Sequence, residues 1–283
     1  MQATTIPKKI WFLWLQGEAA MKPMVQECYR SWQELNPDWE VIVLTRENLT
    51  EYIPVGQYLD NDHITMQALS DIVRIMLLRD HGGVWTDASG FCTRPLDDWV
   101  HEAVADGFFG IQALREDRLV DSWLLASLPG SYIATTWAAE VERYFALGSV
   151  ASRRVQLLFQ RIFFRFWINC KVYSVVTKPL YLYKRWLGVY SYFWFMYLFV
   201  ELVARDETFA ATWRSMPALA ATHGVAAINA GLMQPMTDAI AAQITTNPYG
   251  VQKLDVRLPL DEAADDSIIK QLIMQNKQTY SYA

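Results

Sequence analysis

The length, composition and charge of this chain exclude several classes of protein. Its 283 residues, 52% of them hydrophobic, are enough for one large core or for a core with an insertion. The net charge of −5 argues against a nucleic-acid partner. Three widely spaced cysteines, Cys28, Cys92 and Cys170, lack metal-binding spacing and are typical of reduced thiols in a cytoplasmic protein.

The first part of the chain predicts alternating strands and helices. The apolar run KIWFLWL, residues 9–15, predicts a buried strand, and it is too short for the core of a signal peptide. Helical spacing of apolar residues predicts a helix over 24–35, and the β-branched run at 39–45 predicts a second strand. A short helix is expected at 47–52.

The segment SDIVRIMLLRDHGGVWTDASG, residues 70–90, predicts a helix, a tight corner and a strand in succession. An apolar stripe starts the helix near Thr65, and the double glycine 82–83 suits its C-terminal cap. The short strand 84–86 then leads to Asp87. This alternation favours a mostly parallel sheet with helices on its faces.

In such sheets, ligands bind beyond the carboxyl ends of the strands. Asp87 and the turn 16–17 are both predicted to lie at that edge. Farther along the chain, the patterns predict strands at 108–114 and 122–127 and a helix at 132–147.

The composition changes sharply over residues 149–200. This basic aromatic segment holds eight Lys or Arg residues, no Asp or Glu, and sixteen of the chain's 39 aromatic residues. Its longest uncharged run, 186–200, is shorter than the ~20 residues that span a bilayer. Two interpretations stay open: helices that contact a membrane surface, or helices that bury their aromatics against the sheet.

Asp71, Arg74 and Asp87 are the candidate functional residues, and each also has an ordinary structural interpretation. Asp71 and Arg74, three residues apart on a helix, could form a surface ion pair of little energetic value. Asp87 could cap a turn. Convergence of the three residues at the end of a sheet would instead make a ligand site.

The segment SDIVRIMLLRDHGGVWTDAS resembles the central motif of the capsular polysaccharide synthesis proteins, which are related to glycosyltransferase family 32. The resemblance extends to IPKKIWFLWLQG, SWQELNPDWEVIVL and FCTRPLDDW, and more loosely to SWLLASLPGS and YFWFMYLF. It covers the first two hundred residues well and the remainder weakly. The order of these elements is more specific than any one of them.

The resemblance implies an α/β fold of the GT-A type, with a Rossmann-like, mostly parallel sheet and a helical, basic aromatic insertion. Residues 1–148 would bind the nucleotide sugar, 149–200 would face the acceptor or the membrane, and 201–283 would complete the core. The implied activity is retaining transfer of a hexosyl group from a UDP- or GDP-sugar. The acceptor would be a lipid-linked oligosaccharide of bacterial capsule or exopolysaccharide synthesis, at the inner face of the cell membrane.

The resemblance also implies a role for each candidate residue. Asp71 and Arg74 match the pair that holds the donor sugar, and Asp87 matches the first acid of an Asp-x-Asp motif, against the ribose and a metal-bound diphosphate. Together they would form the catalytic set. Trp14 matches the aromatic residue that stacks on the nucleobase, and an indole face suits a planar base.

The chain departs from the family pattern at Ser89, where the second acid of the motif would stand. A hydroxyl is a weaker ligand than a carboxylate for Mn²⁺ or Mg²⁺, so the divalent cation expected at Asp87 and Ser89 would be held weakly. Other candidate ligands are Asp97 and Asp98, which are near in sequence but expected in the next loop, and His223 and Asn229, by residue type alone. Two alternatives to glycosyl transfer remain: a non-catalytic scaffold at the membrane, or a phospho-sugar transferase.

Overall fold

The computed structural model describes residues 5–61, 64–115, 118–147, 192–217 and 222–280. Its strands are β1 Lys9–Leu13, β2 Glu40–Leu44, β3 Gly83–Thr86, β4 Gly90–Cys92, β5 Phe108–Arg115, β6 Arg118–Ser127 and β7 Val251–Lys253. A five-stranded sheet has the order β2-β1-β3-β6-β5, and β4 pairs with β7 in a separate antiparallel ribbon. Because β1 is parallel to both β2 and β3, and β6 is antiparallel to both β3 and β5, four of the five strands point the same way.

The helices cover both faces of this sheet. They are α1 Pro23–Leu35, α2 Leu49–Tyr52, α3 Gly56–Leu59, α4 Met66–Asp80, α5 Val100–Ala103, α6 Tyr132–Ala146, α7 Trp194–Arg205, α8 Glu207–Ser215, α9 Ala226–Ala230, α10 Asp238–Thr245 and α11 Ile268–Tyr280. Single 3₁₀ turns are found at Glu18–Ala20, Leu96–Asp98, His223–Val225 and Leu260–Glu262. The predicted α/β architecture, with a mostly parallel central sheet and flanking helices, is confirmed.

The central strands β1 and β3 are mostly apolar because both faces of the sheet are buried. Successive side chains of a strand point to opposite faces. Ile10 and Phe12 of β1 therefore enter a first core layer that includes α1 and α11. Trp11 of β1 and Trp85 of β3 enter a second core layer, formed with α4, α6, α7 and α8.

The α4–β3 corner explains the double glycine. Thr65 caps the start of α4 by accepting a hydrogen bond from the Ala68 N–H. At the other end, Gly82 and Gly83 have φ of 64° and 90°, and a Cβ on Gly83 would lie 2.6 Å from the Lys9 carbonyl oxygen. Glycine is therefore required there both for its backbone conformation and for the close approach to β1.

This corner also determines where the charged residues meet. From Arg74 to Gly82 the helix rises about 12 Å, and from Gly83 to Asp87 the strand returns about 13 Å. Arg74 and Asp87 therefore lie side by side at the edge of the sheet remote from the glycines. The convergence predicted from the sequence is present, at the opposite end from the glycine corner.

The described end of the basic aromatic segment is part of the core. Trp194, Phe195, Leu198 and Phe199 of α7 are buried in the second core layer, and the Trp137 ring of α6 stacks on Phe195 with centroids 3.9 Å apart. Core packing, the second interpretation of the segment, therefore holds for these residues. Residues 149–191 lie outside the described residues. Within the described ranges, no helix combines the length and apolar character that a membrane crossing requires.

Candidate functional site

Asp71, Arg74 and Asp87 meet at the carboxyl edge of the sheet. Arg74 NH1 lies 3.3 Å from Asp71 Oδ1, and Arg74 NH2 lies 3.2 Å from Asp87 Oδ1. Asp71 and Arg74 are only 7% and 5% exposed. The alternative of a surface ion pair is therefore wrong. A charged helical pair that is buried needs the compensating partners that this site provides.

The Arg74 guanidinium is saturated by protein acceptors. Its Nε donates to the Ser70 carbonyl oxygen at 3.3 Å, and NH2 donates to Ser70 Oγ at 2.9 Å. NH1 donates to the Ser122 carbonyl oxygen at 2.7 Å and also contacts Ser122 Oγ. With the two aspartates, these acceptors engage all five N–H groups of the side chain. Arg74 therefore positions the carboxylates of Asp71 and Asp87.

Two rings cover the same guanidinium. The Arg74 Cζ lies 5.1 Å from the centroid of the Trp85 ring and 5.8 Å from that of Phe195. Cation–π contacts of this kind are stronger where water is excluded. Since Phe195 belongs to α7, the described end of the basic aromatic segment helps to bury the cation of the site.

Asp87 binds a second cation, Lys253, that no sequence motif indicates. Lys253 Nζ donates to Asp87 Oδ2 at 3.0 Å, while Asp87 Oδ1 accepts from Trp85 Nε1 at 3.2 Å as well as from Arg74. The alternative of turn capping by the Asp87 carboxylate is therefore wrong, because both of its oxygens face side-chain donors. The two cations reach this carboxylate from opposite layers of the fold.

Adjacent residues of β6 hold both cations. Ser122 accepts from Arg74, and the Trp123 ring lies under Lys253 with its centroid 5.3 Å from Nζ. The Trp123 carbonyl oxygen also accepts from the Asp87 N–H at 2.8 Å, which extends the β3–β6 pairing by one residue. The single strand β6 thus positions Asp87, Arg74 and Lys253.

Burial and neighbouring charges shift the pKa values of Asp71 and Asp87 in opposite directions. Burial raises the pKa of Asp71 to about 7, despite the opposing effect of Arg74, and the negative charge of Asp87 adds to the rise. Burial also acts to raise the pKa of Asp87, but the charges of Lys253 and Arg74 and the hydrogen bonds from Lys253 and Trp85 hold it below its ordinary value. A carboxyl group whose pKa is strongly raised by burial, as that of Asp71 is, is typical of functional sites.

Trp14 lies at the same edge of the sheet. In the parallel pairing of β1 with β3, Phe12 is opposite Thr86, so Trp14 and Asp87 follow neighbouring strand ends. The Trp14 ring packs against the first core layer, to which Trp123 also belongs. Its Nε1 is buried without a hydrogen-bond partner in the part of the chain that the structure describes. A buried donor of this kind normally has an acceptor.

The donor set around Ser89 does not fit a divalent cation held by the protein alone. Ser89 follows Asp87 in a turn closed by a hydrogen bond from the Gly90 N–H to the Asp87 carbonyl oxygen, and its own carbonyl oxygen accepts from Leu254. The described residues contain no group of three His, Cys, Asp or Glu side chains that could hold a metal ion. The cation expected at Asp87 and Ser89 stays a prediction.

The other candidate ligands do not complete such a set. Asp97 accepts from Lys8 Nζ at 2.8 Å and from Trp39 Nε1 at 3.0 Å, and these two residues precede β1 and β2. Asp97 therefore lies at the edge of the sheet opposite to Asp87. Asp98 pairs with Arg94 at 3.2 Å. The remaining two candidates, His223 and Asn229, are exposed.

Comparison with known proteins identifies the family. Residues 1–272 match the family model of the capsular polysaccharide synthesis proteins. The chain belongs to this family. The match extends well beyond the resemblance seen in the motifs, because it includes the C-terminal part that contributes Lys253.

Other relatives of this capsular polysaccharide synthesis family member are glycosyltransferases. The O-glycosyltransferase braB of Annulohypoxylon truncatum is 31% identical over 115 residues, which are 36% of this chain and 27% of that protein. The inositol phosphoceramide mannosyltransferase 3 of Schizosaccharomyces pombe is 30% identical over 106 residues, 35% of this chain and 29% of that protein. The chain thus covers less than a third of the length of either fungal relative.

Among solved structures, the PaToxG glycosyltransferase aligns with 88% of this chain and 89% of its own, at 14% identity and a TM-score of 0.39. The family and the two curated relatives together support a glycosyltransferase relationship for this chain.

In this family member, Asp71, Arg74 and Asp87 were predicted from the sequence to converge, and their contacts with Lys253, Ser122 and Trp123 were not. Lys253 lies 166 residues after Asp87 in an unremarkable stretch, VQKLD, and Ser122 and Trp123 occur in an ordinary strand pattern. None of the three carries a local signal. The pairing of β4 with β7, which sets Lys253 opposite Gly90, was the missing information.

Proposed function

We propose that this protein transfers a hexosyl group from a UDP- or GDP-sugar to a lipid-linked oligosaccharide during synthesis of a bacterial capsule or exopolysaccharide. Family membership and the two glycosyltransferase relatives support the reaction class. The nucleotide-sugar donor, the lipid-linked acceptor and the bacterial setting are the parts that we add. The resemblance of the motifs to the family pattern supports these parts.

One observation carries the proposal: two carboxyl groups and two cations converge at the carboxyl edge of the sheet. Arg74 contacts Asp71 and Asp87, and Lys253 contacts Asp87. Ligands of mostly parallel α/β sheets bind at this edge. Carboxylates suit sugar hydroxyls, and cations suit phosphate oxygens, so the cluster matches both halves of a nucleotide sugar.

Asp87 would bind a hydroxyl group of the donor. An ionised carboxylate has about four acceptor positions, and Arg74, Trp85 and Lys253 occupy three of them. One position is left for a ligand hydroxyl. The lowered pKa keeps the group ionised at neutral pH. The same hydrogen bonds make Asp87 a poor nucleophile, which favours a binding role.

Asp71 would contact the donor sugar from the other side of Arg74. Its pKa of about 7 means that both protonation states are populated at neutral pH, so the carboxyl can accept or donate a hydrogen bond. Trp14, with its unpartnered Nε1 at the same edge, would stack on the nucleobase. In the proposed retaining path the bond from the anomeric carbon to the diphosphate breaks, and the acceptor oxygen attacks from the same face. The acceptor's proton passes to the departing diphosphate.

We also propose that the protein works in the cytoplasm at the inner face of the membrane, where residues 149–191 contact anionic lipid. The excess of basic and aromatic residues without acids supports this location. Salt-sensitive retention by liposomes that contain anionic lipid would support it. Equal recovery in the supernatant with and without liposomes would contradict it.

The experiment is calorimetric binding and turnover of a panel of UDP- and GDP-sugars by wild type, Asp87→Ala and Asp97→Ala. Asp97 is the matched control, since it also accepts from a lysine and a tryptophan but lies at the opposite edge. We expect one donor to bind, and turnover to fall by roughly 100-fold or more in Asp87→Ala while Asp97→Ala resembles wild type.

Two results would contradict this proposal. Failure of the folded wild-type protein to bind any donor would remove the transferase function. Full turnover by Asp87→Ala would leave the function but move the site elsewhere.

A further inference from the structure

Lys253 differs from Arg74, the other cation of the site, in the number of its N–H donors that the protein uses. Arg74 has its five N–H groups engaged by the protein and is 5% exposed. The Lys253 side chain is 30% exposed and donates to Asp87 Oδ2 alone among the described residues. An ammonium group has three N–H donors, so two of them remain for a ligand.

The position of Lys253 is determined by rigid neighbours. In the β4–β7 ribbon it lies opposite Gly90, three residues after Asp87, and the Leu254 N–H donates to the Ser89 carbonyl oxygen at 2.8 Å. Its ammonium lies over the Trp123 ring. Lysine side chains ordinarily lose much rotamer freedom on binding a ligand, and these contacts restrict Lys253 before any ligand arrives.

The ammonium also lies where a divalent cation at Asp87 would need to be. Lys253 Nζ is 3.0 Å from Asp87 Oδ2, Oδ1 faces Arg74 and Trp85, and the next side chain of the motif is the uncharged Ser89. A divalent cation prefers several oxygen ligands, usually with two or more carboxylates where the protein supplies most of them. Asp87 is a carboxylate that Lys253 and Arg74 already share, and the second carboxyl of the site, Asp71, lies against Arg74.

We propose that Lys253 supplies the positive charge that binds and stabilises the donor's diphosphate, and that transfer therefore does not depend on a divalent cation. This inference rests on the proposed function. When the bond between the anomeric carbon and the diphosphate oxygen breaks, its electron pair stays on that oxygen. The two free N–H groups of Lys253 stabilise the negative charge that develops there.

The test measures binding of UDP and GDP by calorimetry, with EDTA and then with Mn²⁺, to wild type, Lys253→Ala and Lys253→Arg. Uridine and guanosine serve as probes without phosphate. Lys9→Ala is the matched control, because Lys9 also lies over a tryptophan ring, with Nζ 5.7 Å from the Trp11 centroid, at the start of β1 and so at the other edge. Lys253→Gln is included because its amide can still donate to Asp87.

We expect wild type to bind one nucleotide as tightly in EDTA as in Mn²⁺. Lys253→Ala and Lys253→Gln should weaken that binding about tenfold or more, the loss of one charge-assisted hydrogen bond. Binding of the corresponding nucleoside should not change. Lys253→Arg and Lys9→Ala should retain nucleotide binding. Asp87 keeps Arg74 and Trp85 as partners in each Lys253 variant, so unfolding temperatures should stay close to that of wild type.

Nucleotide binding that requires Mn²⁺ and is unaffected by Lys253→Ala would overturn this inference while the proposed function stands. Equal weakening of nucleoside and nucleotide binding would also overturn it, because it would show a general distortion of the site. If folded wild type bound no nucleotide under either condition, the proposed function would fail and this inference with it.

Discussion

Two aspartates at opposite edges of the same sheet have nearly the same partners. Each accepts a hydrogen bond from a lysine ammonium and from a tryptophan indole. Asp87 accepts from Lys253 at 3.0 Å and Trp85 at 3.2 Å, and Asp97 accepts from Lys8 at 2.8 Å and Trp39 at 3.0 Å. Residue type and local geometry therefore do not distinguish the candidate site from an ordinary surface cluster.

The difference lies in what surrounds each cluster. Behind Asp87 lies the buried Arg74, itself held by Ser70 and Ser122, and the second carboxyl, Asp71. In the Asp97 cluster the charged side chains of Lys8 and Asp97, and that of their further partner His101, are each more than 40% exposed. Water screens such exposed charges, whereas a buried guanidinium acts on its neighbours at low dielectric. A charge cluster becomes a candidate site through the buried charge that supports it.

Removal of the buried guanidinium should give the largest effect. Arg74→Ala leaves Asp71 and Asp87 without their common partner, and we expect the free energy of unfolding to fall by about 3–5 kcal/mol. The matched control is Arg94→Ala, since Arg94 forms an exposed i,i+4 pair with Asp98 and should cost about 0.5 kcal/mol or less. Urea denaturation measures both. Similar losses of stability in the two variants would show that burial does not make Arg74 more important to the fold than the exposed Arg94.

Asp71→Asn should change how stability depends on pH. Between its ordinary pKa of 3.8 and its folded value of about 7, the folded protein keeps a proton on Asp71 that the unfolded chain has released. The contribution of Asp71 to stability is therefore full below about pH 4 and falls as pH rises through this window, by at most about 1.4 kcal/mol per pH unit. Asparagine does not titrate, so this slope should disappear in the variant.

Asp97→Asn should change the dependence of stability on pH in the opposite direction. Although its slight burial acts to raise the pKa of Asp97, hydrogen bonds from Lys8, Trp39 and His101 hold it below the ordinary value. Its stabilisation is therefore present above pH 4 and lost as pH falls through the lowered pKa. Urea denaturation at several pH values checks both variants. Identical slopes for wild type and Asp71→Asn between pH 4 and 7 would refute the assignment for Asp71.

Ser89→Asp should have the smallest effect on the fold and a specific effect on metal binding. The turn that carries Ser89 uses backbone hydrogen bonds, so the unfolding temperature should change little. A second carboxylate near Asp87 should increase the affinity for Mn²⁺ about tenfold. The gain should be greater when Lys253→Ala also frees Asp87 Oδ2. Calorimetric titration with Mn²⁺ alone measures this affinity. If it is unchanged both in Ser89→Asp and in the double variant with Lys253→Ala, the side chain at position 89 does not face the Asp87 carboxylate.

The α4–β3 unit shows how much of the fold could be predicted from the sequence. The apolar stripe, the N-terminal Thr65 and the glycine pair are local signals, and they predicted the helix, its end and the following strand close to their observed bounds. The convergence of Arg74 with Asp87 was also predictable, because it depends on the lengths of two adjacent elements. Burial of the pair was not, since it depends on α7 and β6, which come from distant parts of the chain.

The sequence by itself determined most of the strands and helices between residues 9 and 147, the edge of the sheet that holds Asp87, and the family resemblance. These depend on short-range patterns of apolar residues, glycines and acids. Only the tertiary structure decided that Arg74 is saturated and that Lys253 reaches Asp87. Both facts depend on contacts between residues far apart in the chain, and no local periodicity encodes such contacts. The open cation of the site, Lys253, therefore appeared only when β7 was placed beside β4.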